Sequence, residues 1–203
     1  MSRLWERRKG PCNDYPVRIR DRKIEIESGE RGLLFKQPAL FYLYEDQGPL
    51  PESVLGQYPR GLLSVLLPWL RCQRKELLHI CSGSLARGEG IRVDLRREAS
   101  PDLIADGRAL PLREGSVAAA LLDPPYAPEH AENLYGTDYP RPSHLLREAC
   151  RVVRPSGRFA ILHYITPNPP PGAFFVKCFG LSVGFGFQMR AVTLYEKEQR
   201  SLL

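Results

Sequence analysis

Val117-Ala118-Ala119-Ala120-Leu121-Leu122-Asp123-Pro124-Pro125-Tyr126 is the stretch that decides the fold. Six apolar residues run without alternation and stop at an acid followed by two prolines. An unalternating run of this length suits a strand covered on both faces, as in a parallel sheet under helices. Proline cannot donate to a ladder, so the strand ends where the acid begins. In an open α/β sheet ligands bind beyond the carboxyl ends of the strands. Asp123 stands at such an end. It can accept a hydrogen bond from an amino group, and the Pro124 carbonyl can accept a second. Pro124 and Pro125 also remove two N–H donors, leaving a wall of acceptors. Tyr126 offers a flat face, worth about 1–3 kcal/mol when a base stacks on it.

Working outward, the same punctuation recurs. Residues 77–81, 91–95, 103–105 and 159–163 are short apolar runs ending at or beside small, acidic or polar residues. Each predicts a buried strand. Residues 143–153 predict an amphipathic helix with Ser143 as its cap. Leu145, Leu146, Ala149, Val152 and Val153 form its apolar face, and Pro155 stops it. Residues 174–183 and 185–195 alternate around Gly184 and Gly186 and predict a terminal antiparallel hairpin. The sum is an α/β fold: a mostly parallel, Rossmann-like sheet with one antiparallel edge.

The strand ends carry the candidate chemistry. Cys81-Ser82-Gly83-Ser84 is a small-residue loop whose backbone N–H groups can approach a ligand closely. Asp94, followed by Leu95, closes the next strand and can accept from both hydroxyls of a ribose. Asp106, followed by Gly107, closes the third. Asp94, Asp106 and Asp123 are spaced 12 and 17 residues apart, each at a strand end.

These motifs resemble the amino-methyltransferases, the family that methylates adenine N6 or cytosine N4 in DNA. The similarity covers residues 77–195, including Leu110 to Ser116 before the catalytic strand and Arg154-Pro155-Ser156-Gly157 after the helix. It implies a class I methyltransferase core over residues 75–203 and S-adenosylmethionine as cofactor. Cys81, Ser82, Gly83, Ser84, Asp94, Leu95, Asp106 and Gly107 would hold that cofactor, with the small-residue loop at its methionyl part and Asp106 near its adenine amino group. Asp123, Pro124, Pro125 and Tyr126 would be catalytic: Asp123 and Pro124 hold the target amino group while Tyr126 stacks on a flipped base. An RNA base or a protein glutamine amide fits the same acceptor pair. A nucleic-acid-binding module that keeps the fold without the cofactor is the non-enzymatic alternative.

The chain departs from the family pattern in three ways. Gly83 to Asp94 is only 11 positions, and where a crossover with its helix needs at least about 10–12 residues, only Ser82 to Glu89 is available between the two strands. The first helix is therefore expected to be shortened or missing, with Arg87 or an N-terminal residue meeting the cofactor carboxylate. Residues 164–173 hold four prolines and no helix, so residues 1–75 are expected to cover one face of the sheet. No separate recognition domain is visible. Residues 127–142, the N-terminal strands and a basic arm remain for target binding, which leaves a partner subunit or a homo-oligomer open.

Residues 1–74 form an accessory segment. Residues 17–26 predict a strand, 28–32 a turn, 33–44 one or two further strands, 46–59 a loop, and 61–73 a helix disturbed near Pro68. Residues 1–23 hold eight basic side chains against three acidic ones, most of a net charge of +6 on the whole chain. A basic arm on a nearly neutral body suits nucleic acid, and the family resemblance implies DNA before RNA. No apolar run is long enough to span a bilayer, and the N-terminus lacks a secretory pattern, so a cytoplasmic protein is expected. Five scattered cysteines without a Cys-x-x-Cys pair, and four histidines without ligand spacing, support neither a metal site nor a disulfide framework. His130-Ala131-Glu132 lacks the cysteine partners of a zinc deaminase.

Overall fold

The computed structural model describes residues 58–59, 61–182 and 188–199, and the backbone of three short strands before them. Those strands are β1 (Val17–Arg20), β2 (Lys23–Ile26) and β3 (Leu40–Leu43). Then come α1 (Leu62–Leu70), β4 (Leu77–Ile80), β5 (Ile91–Asp94), β6 (Leu103–Ile104) and β7 (Val117–Leu122). Two helices follow, α2 (Pro128–Tyr135) and α3 (Pro142–Val152), and then β8 (Val153–His163), β9 (Ala173–Ser182) and β10 (Arg190–Lys197). They form one sheet in the order β1-β2-β3-β9-β10-β8-β7-β4-β5-β6. From β8 to β6 every pairing is parallel. β10 lies antiparallel between β8 and β9. This is the expected Rossmann-like α/β sheet with its C-terminal antiparallel hairpin.

Two apolar layers explain why the strands read as unbroken runs. Leu78, Ile80, Ala120, Leu122, Phe159 and Ile161 face α3, which buries Leu145, Leu146, Ala149 and Val152 against them. The alternate residues Leu77, Ala119, Leu121, Ala160 and Leu162 face α1, which buries Leu62, Leu63, Leu66 and Leu70. Each strand thus packs on both sides with period two. No helix separates β4 from β5, only turns. The shortened crossover is real, and α1 covers the face opposite α3.

Polar groups from the sheet finish both helices. Pro68 sits inside α1, which ends two residues later at Leu70 and is followed by a left-handed Arg71. The Arg158 guanidinium donates to the Trp69 carbonyl at 2.8 Å and to Glu196 Oε2 at 2.7 Å. Lys197 Nζ donates to the Arg151 and Val153 carbonyls at 3.1 and 2.9 Å. A cation at each C-terminus meets carbonyls that have no partner within the helix.

Several expectations need correction. Residues 17–26 form not one strand but two antiparallel ones, paired from Val17↔Ile26 to Arg20↔Lys23. Only two residues lie between them, which is hairpin spacing. Ser143 does not cap α3. The helix begins one residue earlier with Pro142 at its first position, whose missing N–H is no loss there. The terminal hairpin is not the edge, because β3 pairs in parallel with β9. Arg154 to Gly157 does turn, but as a bulge inside β8: Val117 pairs with Val153 and Ala119 with Arg158. A Cβ on Gly157 would stand 2.8 Å from the Ala118 and Arg154 carbonyls, so the bulge admits only glycine. The turn at 28–32, most of the loop at 46–59 and the basic arm apart from β1 and Lys23 lie outside the described residues.

Candidate active site

The sheet has a switch point between β4 and β7. From β4 the chain moves outward to β5 and β6, then returns to pair with β4 on its other side at β7. A crevice opens there beyond the strand ends. It holds a cavity of about 280 Å³ lined by Cys81, Gly83, Asp94, Leu95, Asp106, Gly107 and Asp123 to Tyr126, among others. That volume is near the lower end for small-molecule sites, about 300–1,000 Å³.

Backbone bonds beyond the strands fix the positions of the acids. Ser82 N–H donates to the Val93 carbonyl at 2.9 Å, Ala105 N–H to Asp94 at 3.1 Å, and Asp123 N–H to Ile80 at 3.2 Å. Cys81 turns the chain with φ 59°, an uncommon conformation for a residue with a side chain. Burial, then the charges of Asp94, Asp123 and Asp106, push its thiol pKa well up, which disfavours the thiolate. Gly107 packs against the end of β4. A Cβ there would meet Ile80 at 2.6 Å and Leu145 at 3.0 Å, so this corner accepts only glycine without a shift.

Each carboxylate has a cation beside it. Asp94 is buried and accepts from Gly83 N–H at 2.8 Å and from Arg96 N–H at 2.9 Å. The Arg96 guanidinium lies 3.4 Å from Asp94 and 4.4 Å over the Tyr135 ring of α2. Arg108 forks onto Asp106 with contacts of 2.7 and 3.0 Å, and these bonds hold the Asp106 pKa below its ordinary value. At Asp123, burial pushes the pKa up to about 6, opposed by the Tyr126 hydroxyl and by Arg190. Tyr126 Oη donates to Asp123 Oδ1 at 2.6 Å, and Arg190 Nη1 donates to Tyr126 Oη at 3.3 Å.

Around Tyr126 stands an aromatic group. Its ring is 4.5 Å from that of Tyr164 and edge-on to His163 at 5.5 Å. His163 Nδ1 accepts from Ile165 N–H, so the neutral ring carries its proton on Nε2, toward Tyr139 Oη at 3.3 Å. Burial lowers its pKa.

The structure therefore gathers ten of the twelve sequence-predicted residues around one cavity. Ser82 and Ser84 do not line it. Ser82 is buried under the loop, with its hydroxyl unpartnered among the described residues. Arg87 does not line it either and instead acts on Asp102. Sequence reasoning missed Arg96, Arg108, Tyr135, Tyr164 and Arg190. Asp94-Leu95-Arg96 and Asp106-Gly107-Arg108 repeat one Asp-x-Arg pattern, which is a local signal for two of them. Arg190 and Tyr164 reach the site only through the fold.

The donor set fits S-adenosylmethionine. Asp94 keeps acceptor capacity for ribose hydroxyls, since a carboxylate offers about four acceptor sites. The Asp106–Arg108 pair is about one-third exposed on both sides and can open at little cost. Arg96, Arg108 and Arg190 line the same cavity as the cations beside these acids.

No model of a known protein family and no curated protein matches the chain. Solved structures do. TrmN from Thermus thermophilus is 24% identical, with a TM-score of 0.49 over 67% of this chain and 48% of its own. This chain thus spans about half of TrmN. YhhF from Escherichia coli is 15% identical, with a TM-score of 0.49 over 73% of this chain and 92% of its own. The 1,6-didemethyltoxoflavin-N1-methyltransferase of Burkholderia thailandensis, solved with S-adenosylhomocysteine, is 14% identical. Its TM-score is 0.46 over 69% of this chain and 78% of its own.

Proposed function

We propose that the protein transfers a methyl group from S-adenosylmethionine to an exocyclic amino group, with adenine N6 in DNA as the favoured target. One observation carries this: Asp94, Asp106 and Asp123 end successive strands around a single cavity, with Asp-Pro-Pro-Tyr at the switch point. Asp94 and Leu95 would hold the ribose side of the cofactor, and Asp106 and Gly107 its adenine. The cofactor supplies an electrophilic methyl group. Asp123 and the Pro124 carbonyl accept N–H bonds from the amino group and aim its lone pair. The Asp123 carboxylate, titrating near 6, can take the proton the nitrogen sheds. Alignment of the amino nitrogen with the methyl group does most of the work. The basic arm supports a nucleic-acid substrate.

The test is transfer of isotope-labelled methyl to duplex DNA, single-stranded DNA, RNA and protein, read by nucleoside and peptide mass spectrometry. N6-methyladenine in DNA is expected. A methylated RNA base or glutamine amide would replace the target while keeping the reaction. Asp123→Ala should reduce transfer at least about 100-fold and leave the thermal shift with S-adenosylmethionine in place. Full activity in that variant would sink the proposal. No thermal shift in the parent protein would favour a non-catalytic nucleic-acid-binding module.

A further inference from the structure

Arg190 begins β10 and comes to the cavity from a part of the sequence remote from every strand-end acid. Its Nη1 donates to Tyr126 Oη at 3.3 Å, and that hydroxyl donates to Asp123 Oδ1 at 2.6 Å. The three groups form a directed chain from a permanent cation to the carboxylate at the switch point. We infer that Arg190 is a positioning residue for Asp123 that acts through Tyr126, an inference that presupposes the methyl-transfer function proposed above. The guanidinium fixes the phenol, and the phenol fixes Oδ1. The carboxylate then presents its remaining acceptor capacity to the incoming amino group.

The surroundings give Arg190 this role. Tyr58, ahead of α1, Cys81 at the end of β4, Tyr135 on α2 and Tyr126 all feel the charge of Asp123. None of them is a cation. Among the described residues, Arg190 is the cation that acts on Asp123. Burial favours the protonated acid, which cannot accept an amino N–H at the protonated oxygen. Arg190 and the Tyr126 hydroxyl work against burial. The arrangement also gives the hydroxyl of Tyr126 a part beside the flat face its ring offers. Its ring is packed against Tyr164 and His163, and its hydroxyl belongs to the relay.

The test compares pH–rate profiles of the parent, Arg190→Ala, Arg190→Lys, Tyr126→Phe and the Arg190→Ala/Tyr126→Phe double variant. Arg190→Ala should move the acid limb of kcat up by about one pH unit, the size expected for losing one nearby opposite charge. Arg190→Lys should bring it back. In the Tyr126→Phe background, Arg190→Ala should add less than it does alone, because the two act in one chain. Activity lost equally at all pH values would overturn the inference. So would a rise in KM alone, which would make Arg190 a substrate contact. Carbon-13 NMR of aspartate-labelled protein, with Asp123→Asn identifying the resonance, reads the same titration without catalysis. If the parent transfers no methyl group the functional proposal fails, yet an upward shift of that titration in Arg190→Ala still supports the relay. An unmoved titration in a folded variant refutes it.

Discussion

Asp123 sits against a general rule for carboxylates in folded proteins, which mostly titrate low because a cation or N–H holds the charged form. Here burial wins and lifts the carboxyl from 3.8 to about 6. The folded chain therefore keeps a proton that the unfolded chain releases between about pH 4 and 6. Stability falls as pH rises through that window, and the deficit persists above it. Asp123→Asn removes the charge and still offers Tyr126 an acceptor. At pH 8 the variant should be more stable than the parent by on the order of 1–3 kcal/mol, and the two should converge below pH 4. Thermal melts at pH 4, 6 and 8 would check this. A variant less stable than its parent at pH 8 would mean that the Tyr126–Arg190 bonds outweigh burial. Site legibility follows the same divide. Acids at strand ends are visible because a strand must stop somewhere and polar residues mark the stop. The cations that answer them are visible only when close in sequence, as Arg96 and Arg108 are. Ser82 shows the opposite failure: a small residue in the right loop that the backbone turns inward.

Element-scale legibility depended on how much of each element is buried. α3 is readable because Leu145, Leu146, Ala149 and Val152 all face the sheet. α2 is not, because Ala131 is its one fully buried apolar side chain among those described. Pro128 at its first turn and Gly136 after it were the available signals. β1 and β2 merged into one predicted strand because alternation continues through the short connection and says nothing about reversal. α1 is the element whose role sequence pattern foretold only as cover for an exposed face. Leu62, Leu66 and Leu70 recur every four residues and are fully or almost fully buried. Leu66→Ala should cost about 2–5 kcal/mol, whereas Leu67→Ala, on the partly exposed side, should cost far less. Urea unfolding of both variants would show the difference. Equal small effects would mean that α1 is loosely docked and the sheet face is held by something else.

Across the whole molecule, the missing crossover helix and the presence of α1 are two halves of one fact. A parallel sheet buries both faces, and a chain that omits a helix after β4 must supply apolar cover from elsewhere. The cover comes from before β4. His79, buried on that side, ties the arrangement together: its Nε2–H donates to the Glu89 carbonyl at 2.7 Å, and its Nδ1 accepts from Tyr58 Oη at 3.1 Å. Sequence reasoning separated residues 1–74 from 75–203, but part of the first segment completes the core of the second. Burial of the α1 leucines contributes roughly 1.5–3 kcal/mol for each of four side chains, an upper estimate on an extended reference chain. That total rivals the about 5–15 kcal/mol by which a whole domain is stable. A chain starting at residue 75 would also expose Leu77, Leu121, Leu162 and Leu194 at once. Such a fragment should show no cooperative thermal transition, bind an apolar dye and fail to shift with S-adenosylmethionine, although every strand-end acid is present. Calorimetry beside the full chain would settle it. A fragment melting cooperatively near the parent temperature would show that the face under α1 closes without it.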